Sequence, residues 1–415
     1  MYRKRTIWSV LLAMMLALML ALPAMADGDE QQGPTVVAKG LDNPRGLAIA
    51  DDGSIYVAEA GKGGDGPCVK GPEGGEECYG YTGAVTRISA GSQERVATGL
   101  PSRAAEGGNS ASGPHDVAFQ GDDWYTIVGL GALDIRSKLG DDTVVGHIVH
   151  LKGGDDYKSF ADVAAYDAEA NPDGDALESN PYSIVSLSDG GFVVADATAN
   201  ALFKVSAGGD VSTLAVFPER PVTGPDGMEM PMDSVPNAVT VGPDGNYYVG
   251  ELTGFPFPMG QARVYKVAAG GGDPEVYAEG FTNIIDLEFG PDGNLYVVEF
   301  NRNGLLTIDP TMPETLTGSL QRVASDGSHT TVASDGLIAP TSVAVDEDGT
   351  IYTSVFGVRA GAGQVIRLAG MPGMPDSGGG GTSSSGAPVL PLATFLAALA
   401  VGSHHVRRRT NLAHR

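Results

Sequence analysis

Cysteine, aromatic residues and basic residues are all scarce in this sequence. Two cysteines, Cys68 and Cys78, are too few for a domain held together by a disulfide framework. Aromatics at 7%, set against 60 Gly and 26 Pro, fit many short strands and turns and argue against long helices. Lys and Arg number 26 against 51 Asp and Glu. Between residues 27 and 376 the imbalance is sharper, 19 against 51. A nucleic-acid surface would be basic, so no nucleic-acid partner is expected. A small molecule, a glycan, a cation or a basic peptide all stay open, and the charge also keeps an exported domain soluble. Gly-x-Ser-x-Gly, His-Glu-x-x-His and Walker loops are missing, so no catalytic residue is assigned.

What is present is a repeat. Val235 to Glu251 reads as two short strands around a tight turn, with Asp244-Gly245 expected to form a two-residue hairpin. The turn residue recurs as Asp52, Asp122, Asp189, Asp244, Asp292 and Asp348, spaced 48 to 70 residues apart. Gly follows it everywhere except at Asp123. Pro stands eight residues before it in five units, with Ile284 in the other. Each unit then carries a third strand holding one base: Arg87, His150, Lys204, Lys266, Arg322 and Arg367. A fourth strand shares an ending, as in Val96-Ala-Thr-Gly-Leu100 and Tyr277-Ala-Glu-Gly-Phe281. Four strands at this period make a β-propeller blade, and six units make an all-β, six-bladed propeller of four-stranded antiparallel blades. The sixth unit lacks its fourth strand. Thr35 to Leu41 has the fourth-strand ending and is expected to close the ring from the other end of the chain.

The ends have their own character. Residues 1–26 read as a secretory signal, with Arg3-Lys4-Arg5, an apolar run from Ile7 to Leu22, and Ala24-Met25-Ala26 at the cleavage position. Residues 27–34 form a linker, and 35–370 hold the propeller. Residues 371–386 are Gly/Ser/Pro-rich, and 387–415 are an apolar and basic tail expected to hold the protein at the membrane or cell wall. Its apolar run, Val389 to Gly402, falls short of the roughly 20 residues that span a bilayer. In an oxidising compartment Cys68 and Cys78, both in one Gly-rich insertion, are expected to pair.

Strand order sorts the loops. Turns between strands one and two, and three and four, share one face and are short. Connections from strand two to three and from blade to blade share the other face, and there the insertions are long: 61–82, 101–113, 130–145, 167–180, 218–234 and 253–259. One-sided insertions mark a binding face. Strand one begins there with Arg45, His115, Tyr182, Asn237, Ile285 and Thr341, followed one step on by Asp116 and Asp286. Strand two ends there with Glu59, Asp196, Glu251 and Glu299. These polar groups are the candidate ligand-binding residues of a channel mouth. The competing expectation is structural: each acid pairs with the third-strand base of its own blade. No cofactor is called for, although an acidic mouth suits a divalent cation such as calcium. Glu169-x-Asn171-x-Asp173-Gly174 is similar to the first half of a calcium loop, but Asn180 stands where the loop needs Glu.

The chain resembles the ScyD/ScyE family of secreted, NHL-like propeller proteins. The residues that carry the resemblance are Gly40-Leu-Asp-Asn-Pro-Arg-Gly46, Tyr56 to Cys68, Ser112-Gly-Pro-His-Asp116, Ser234-Val-Pro-Asn237, Gly250-Glu-Leu-Thr-Gly-Phe-Pro-Phe-Pro258 and Gly280-Phe-Thr-Asn-Ile-Ile-Asp286. It spans residues 35 to 369 and implies the fold but no assigned activity. The expected function is ligand or protein binding on the long-loop face. The alternative is a propeller enzyme of lactonase or sugar-oxidoreductase type with a metal or cofactor at the mouth.

Overall fold

The structure, a computed structural model, describes residues 33–368 except 72–74, 131–132, 141, 175–177 and 309–314. The signal segment, most of the linker after it, and the tail from residue 369 lie outside the described residues. Among the described residues no helix is long and apolar enough to cross a membrane.

Six antiparallel sheets form the blades, each of four strands, with a fifth short strand added to the sheet of blade one. The innermost strands are Pro44–Ile49, Pro114–Gln120, Pro181–Ser186, Pro236–Val241, Ile284–Phe289 and Ser342–Val345. Each meets the innermost strands of both neighbours, and the last meets the first. Thr35–Leu41 pairs antiparallel with Gly363–Arg367, from Thr35 opposite Arg367 to Leu41 opposite Gly363, so the first strand of the chain completes the last blade. The core follows from the pleat, which presents alternate residues to the two faces of each blade. Apolar side chains therefore meet between successive blades. Ala58, Val85 and Leu100 of blade one pack on Val117, Val128 and Val149 of blade two, and Val57 and Ile88 pack on Val365 of blade six.

The turns differ from the two-residue expectation. In blade four Val241 and Tyr247 are the last pair, and Gly242 N–H bonds the carbonyl of Asn246 at 2.8 Å. The loop is Pro243-Asp244-Gly245, with Gly245 at φ 76° supplying the left-handed residue that closes a three-residue hairpin. Blade two, where Asp123 replaces the Gly, is the one that makes a two-residue turn, between Gln120 and Asp123.

Several insertions on the long-loop face have structure of their own. Blade one extends strands three and four into a ribbon, Glu76–Ser89 with Ser92–Ala105. Cys68–Lys70 pairs along its edge, and the Cys68–Cys78 disulfide joins two register partners. The insertion is thus paired β-structure, and its Tyr79 packs with Ile135 and Val145 from the blade-two connection. Helices Leu133–Leu139 and Val163–Ala170, and a hairpin of Arg220–Thr223 with Glu229–Met232, fill three more insertions.

Candidate functional site

The first residues of the inner strands point polar groups into the ring, and the structure buries all of them. Arg45 is 1% exposed. Its guanidinium donates to the carbonyls of Gly357 in blade six and of Ala111 ahead of blade two. His115 Nδ1 sits 3.3 Å from the carbonyl of Pro181, so that nitrogen carries the proton. Burial, helped by the charge of Arg45, pushes the imidazole down to about 3, so it stays neutral. Its ring lies 4.5 Å from that of Tyr182, whose phenol burial pushes up to about 12. Asn237 donates to the carbonyl of Ile285, and Thr341 to that of Pro44. Each of these side chains therefore ties its blade to the next. Four buried atoms have no partner: Arg45 Nε, His115 Nε2, Tyr182 Oη and Asn237 Oδ1. An unsatisfied buried polar atom costs roughly 1–3 kcal/mol, and here four fall on successive blades at one repeat position.

One step deeper, Asp116 and Asp286 stand on blades two and five. Asp116 accepts from the N–H groups of Val117 and Ile184 and from the hydroxyl of Ser183. Asp286 accepts from Leu287 N–H and, across the blade boundary, from Val343 N–H. Burial pushes Asp116 up to about 7, and pushes Asp286 up as well, with the charge of Asp116 adding to it. Glu288, which burial and then Asp116 push up to about 7, completes this acidic interior. It was missed from the sequence, yet a signal existed. The same repeat position holds Ala48, Ala118, Val185, Thr240 and Ala344, so Glu288 is the one charge in a small or apolar column.

The acids at the ends of the second strands do not join the channel residues. Glu59 accepts from Asp42 N–H, Thr86 and Arg95. Asp196 accepts from Ser179 and from the N–H groups of Asn180 and Ala199. Glu251 takes Arg220 and Ser234, and Glu299 takes Thr282 N–H, Ser319 and Gln321. Each carboxylate fixes the segment leading into its own blade. Blade two has Gly129 here because a Cβ would lie 2.1 Å from the His115 ring. The third-strand bases do not serve these acids either. Arg87, His150, Lys204 and Lys266 reach the turn aspartates Asp52, Asp123, Asp189 and Asp244. The expected acid–base pairing within a blade is corrected accordingly.

An open concave feature among the described residues lies elsewhere on the long-loop face. A groove of about 290 Å³ runs between the hairpin tip Thr223-Gly224-Pro225, the segment Pro256 to Met259, and the stretch Asn303 to Thr307. Its walls are mostly apolar, and Met259 and Leu306 are 58% and 52% exposed at its rim. Three loops from different blades build it. None carries the repeat, so nothing in their residue patterns signals that they meet.

Among the described residues no three His, Cys, Asp or Glu side chains form a ready cage for a metal ion. One other buried acid was missed. Burial and the charges of Asp196 and Asp173 push Asp167 up to about 8.

No family model matches the chain, and no curated protein matches it in sequence. Solved structures do match in shape. An oxidoreductase (glucose dehydrogenase) of Thermus thermophilus is 15% identical, with 81% of this chain and 99% of that one covered and a TM-score of 0.48. The calcium-binding protein regucalcin of Agrobacterium tumefaciens is 12% identical over 82% of this chain and 94% of that one, TM-score 0.46. Virginiamycin B lyase of Staphylococcus aureus is 12% identical over 81% and 98%, TM-score 0.43. These are likenesses of shape, and no activity is taken from them.

Proposed function

We propose that this propeller is an exported binding protein that takes the apolar part of a small, neutral or cationic ligand on its long-loop face. The groove at Phe257, Met259 and Leu306 carries the reading. It lies among the insertions, it is concave and apolar, and its volume is at the small end of ligand sites. The chain's net charge of −25 favours a ligand without negative charge. Export is supported by the signal-like leader and by the Cys68–Cys78 disulfide, which an oxidising compartment sustains. The ScyD/ScyE resemblance fits a secreted propeller, and the apolar and basic tail would keep it at the cell surface.

Nile red, an uncharged apolar dye, tests the groove. The full chain should bind it with a gain in fluorescence. Met259→Glu with Leu306→Glu should abolish that gain while stability changes by less than about 1 kcal/mol, the scale of surface substitutions. Undiminished dye binding by the double variant would move the ligand away from this groove.

A further inference from the structure

We propose that Met259 is a site of oxidative modification that controls the groove, a control that rests on the groove being the ligand site. A peroxide converts the Met259 thioether to the sulfoxide, and the groove gives up its apolar ligand. Methionine is confined in this propeller. Residues 35–370 hold five, Met228, Met230, Met232, Met259 and Met312. The first four lie in the hairpin insertion and in the segment Pro256 to Met259, two of the three walls of the groove. Met312 follows the third wall in the sequence and lies outside the described residues. The blade strands carry none. An unbranched thioether adapts its shape to what it touches, which suits a wall that must fit an apolar ligand.

Two glycines line the groove, Gly224 and Gly304, and each lies against a thioether. A Cβ on Gly304 would lie 2.9 Å from Met259 Cγ and 3.6 Å from its Sδ, and one on Gly224 would lie 2.9 Å from Met230 Sδ. The four described methionines differ in access. Met228 and Met259 are 66% and 58% exposed, Met230 is half-buried, and Met232 is 1% exposed. Among them Met259 both lines the groove and stands open to an oxidant. The reaction needs only a peroxide. The sulfur lone pair attacks one peroxide oxygen, the O–O bond breaks and an S–O bond forms. The proton on the transferred oxygen passes to the leaving one, which departs as water, or as an alcohol from an organic hydroperoxide. Sulfur loses two electrons and the peroxide gains them. The product is polar where the groove is apolar. A sulfoxide oxygen covered by an apolar ligand gives up its water without gaining a partner, so affinity should fall about tenfold or more.

The test titrates Nile red into the full chain before and after dilute hydrogen peroxide, with oxygen uptake mapped by mass spectrometry of peptides. Met228 and Met259 should gain oxygen ahead of Met232, and dye affinity should fall about tenfold. Each variant is compared with itself before and after treatment. Met259→Leu should lose little on treatment, while Met228→Leu should lose as much as the parent. Methionine sulfoxide reductases should restore binding to the treated parent. Unchanged dye affinity in a chain whose Met259 carries the oxygen would overturn the control and leave the groove standing as the ligand site. So would an equal loss in Met259→Leu, or a Met259 that stays reduced where free methionine is oxidised. An untreated chain that binds no dye would overturn the groove as ligand site, and the control with it.

Discussion

The two ends of the second strand treat the same residue type in opposite ways. At the turn end, Asp52, Asp123, Asp189 and Asp244 stand at the surface beside a base from strand three, and hydrogen bonds and nearby cations hold their carboxyls below the usual range. At the loop end, Glu59, Asp196, Glu251 and Glu299 are buried and bound to backbone N–H groups, hydroxyls or Arg. Burial pushes Asp196 and Glu251 up. A repeat can therefore keep an acid at two positions for two reasons. The first is an exposed staple that water competes with, and the second is a buried joint that nothing else can satisfy.

The sharpest way to break this comparison is to cut one of each. Glu251→Ala strands the guanidinium of Arg220, which is only 14% exposed, together with the hydroxyl of Ser234. Losing one partner of a buried pair costs about 3–5 kcal/mol. Urea unfolding should show a loss of that size. A loss no larger than that from Asp244→Ala would erase the distinction between joint and staple.

The channel offers a second, intermediate test, because neighbours on one strand titrate in opposite senses. Asp116 is raised from 3.8 to about 7, so the folded state holds a proton the unfolded state has released, and stability falls as pH climbs through that window. His115 is lowered from 6.5 to about 3, so the unfolded state takes a proton the folded state refuses, and stability rises between those values. The two effects offset each other in the parent chain. His115→Asn should make stability decline more steeply from pH 4 to pH 7, and Asp116→Asn should make it decline less. Each change should amount to roughly 2–4 kcal/mol across the window. Urea midpoints at several pH values read this directly. Slopes that move in the same direction in both variants would break the assignment.

Much of the fold was legible because the repeat is written in backbone terms. Pro before strand one, a turn residue after it, and the orphan strand at Thr35 fixed the blade count and the closure. The partners of the acids were not, although the pleat carries a signal for them. Lys266 lies opposite Tyr248, and Glu251 lies three residues further along the same strand. An odd step on a pleat puts a side chain on the opposite face. Register alone would therefore have kept Lys266 and Glu251 apart. The groove was illegible for a different reason, since its three walls come from insertions that obey no repeat.

The smallest predicted effect completes the comparison from the exposed side. Lys266 Nζ lies 2.6 Å from the carboxylate of Asp244 and 5.7 Å from the centre of the Tyr248 ring. Side chains of both partners are about one-third open to water, at 33% and 37%. In that setting the Coulomb gain is screened and partly offset by the entropy of holding two mobile side chains, leaving roughly 0.2–1 kcal/mol. Lys266→Ala should cost no more than that. The cost should shrink further in about 1 M salt, where the Debye length falls to about 3 Å. It should also vanish in acid, because Asp244, held below its ordinary 3.8, contributes only while ionised and loses that contribution as pH falls through its lowered value. Urea unfolding of the parent and Lys266→Ala chains, with and without salt, reads the difference. A loss of several kcal/mol that ignores salt would mean the turn-side staple is a buried joint after all, and the two ends of the strand would no longer be unlike.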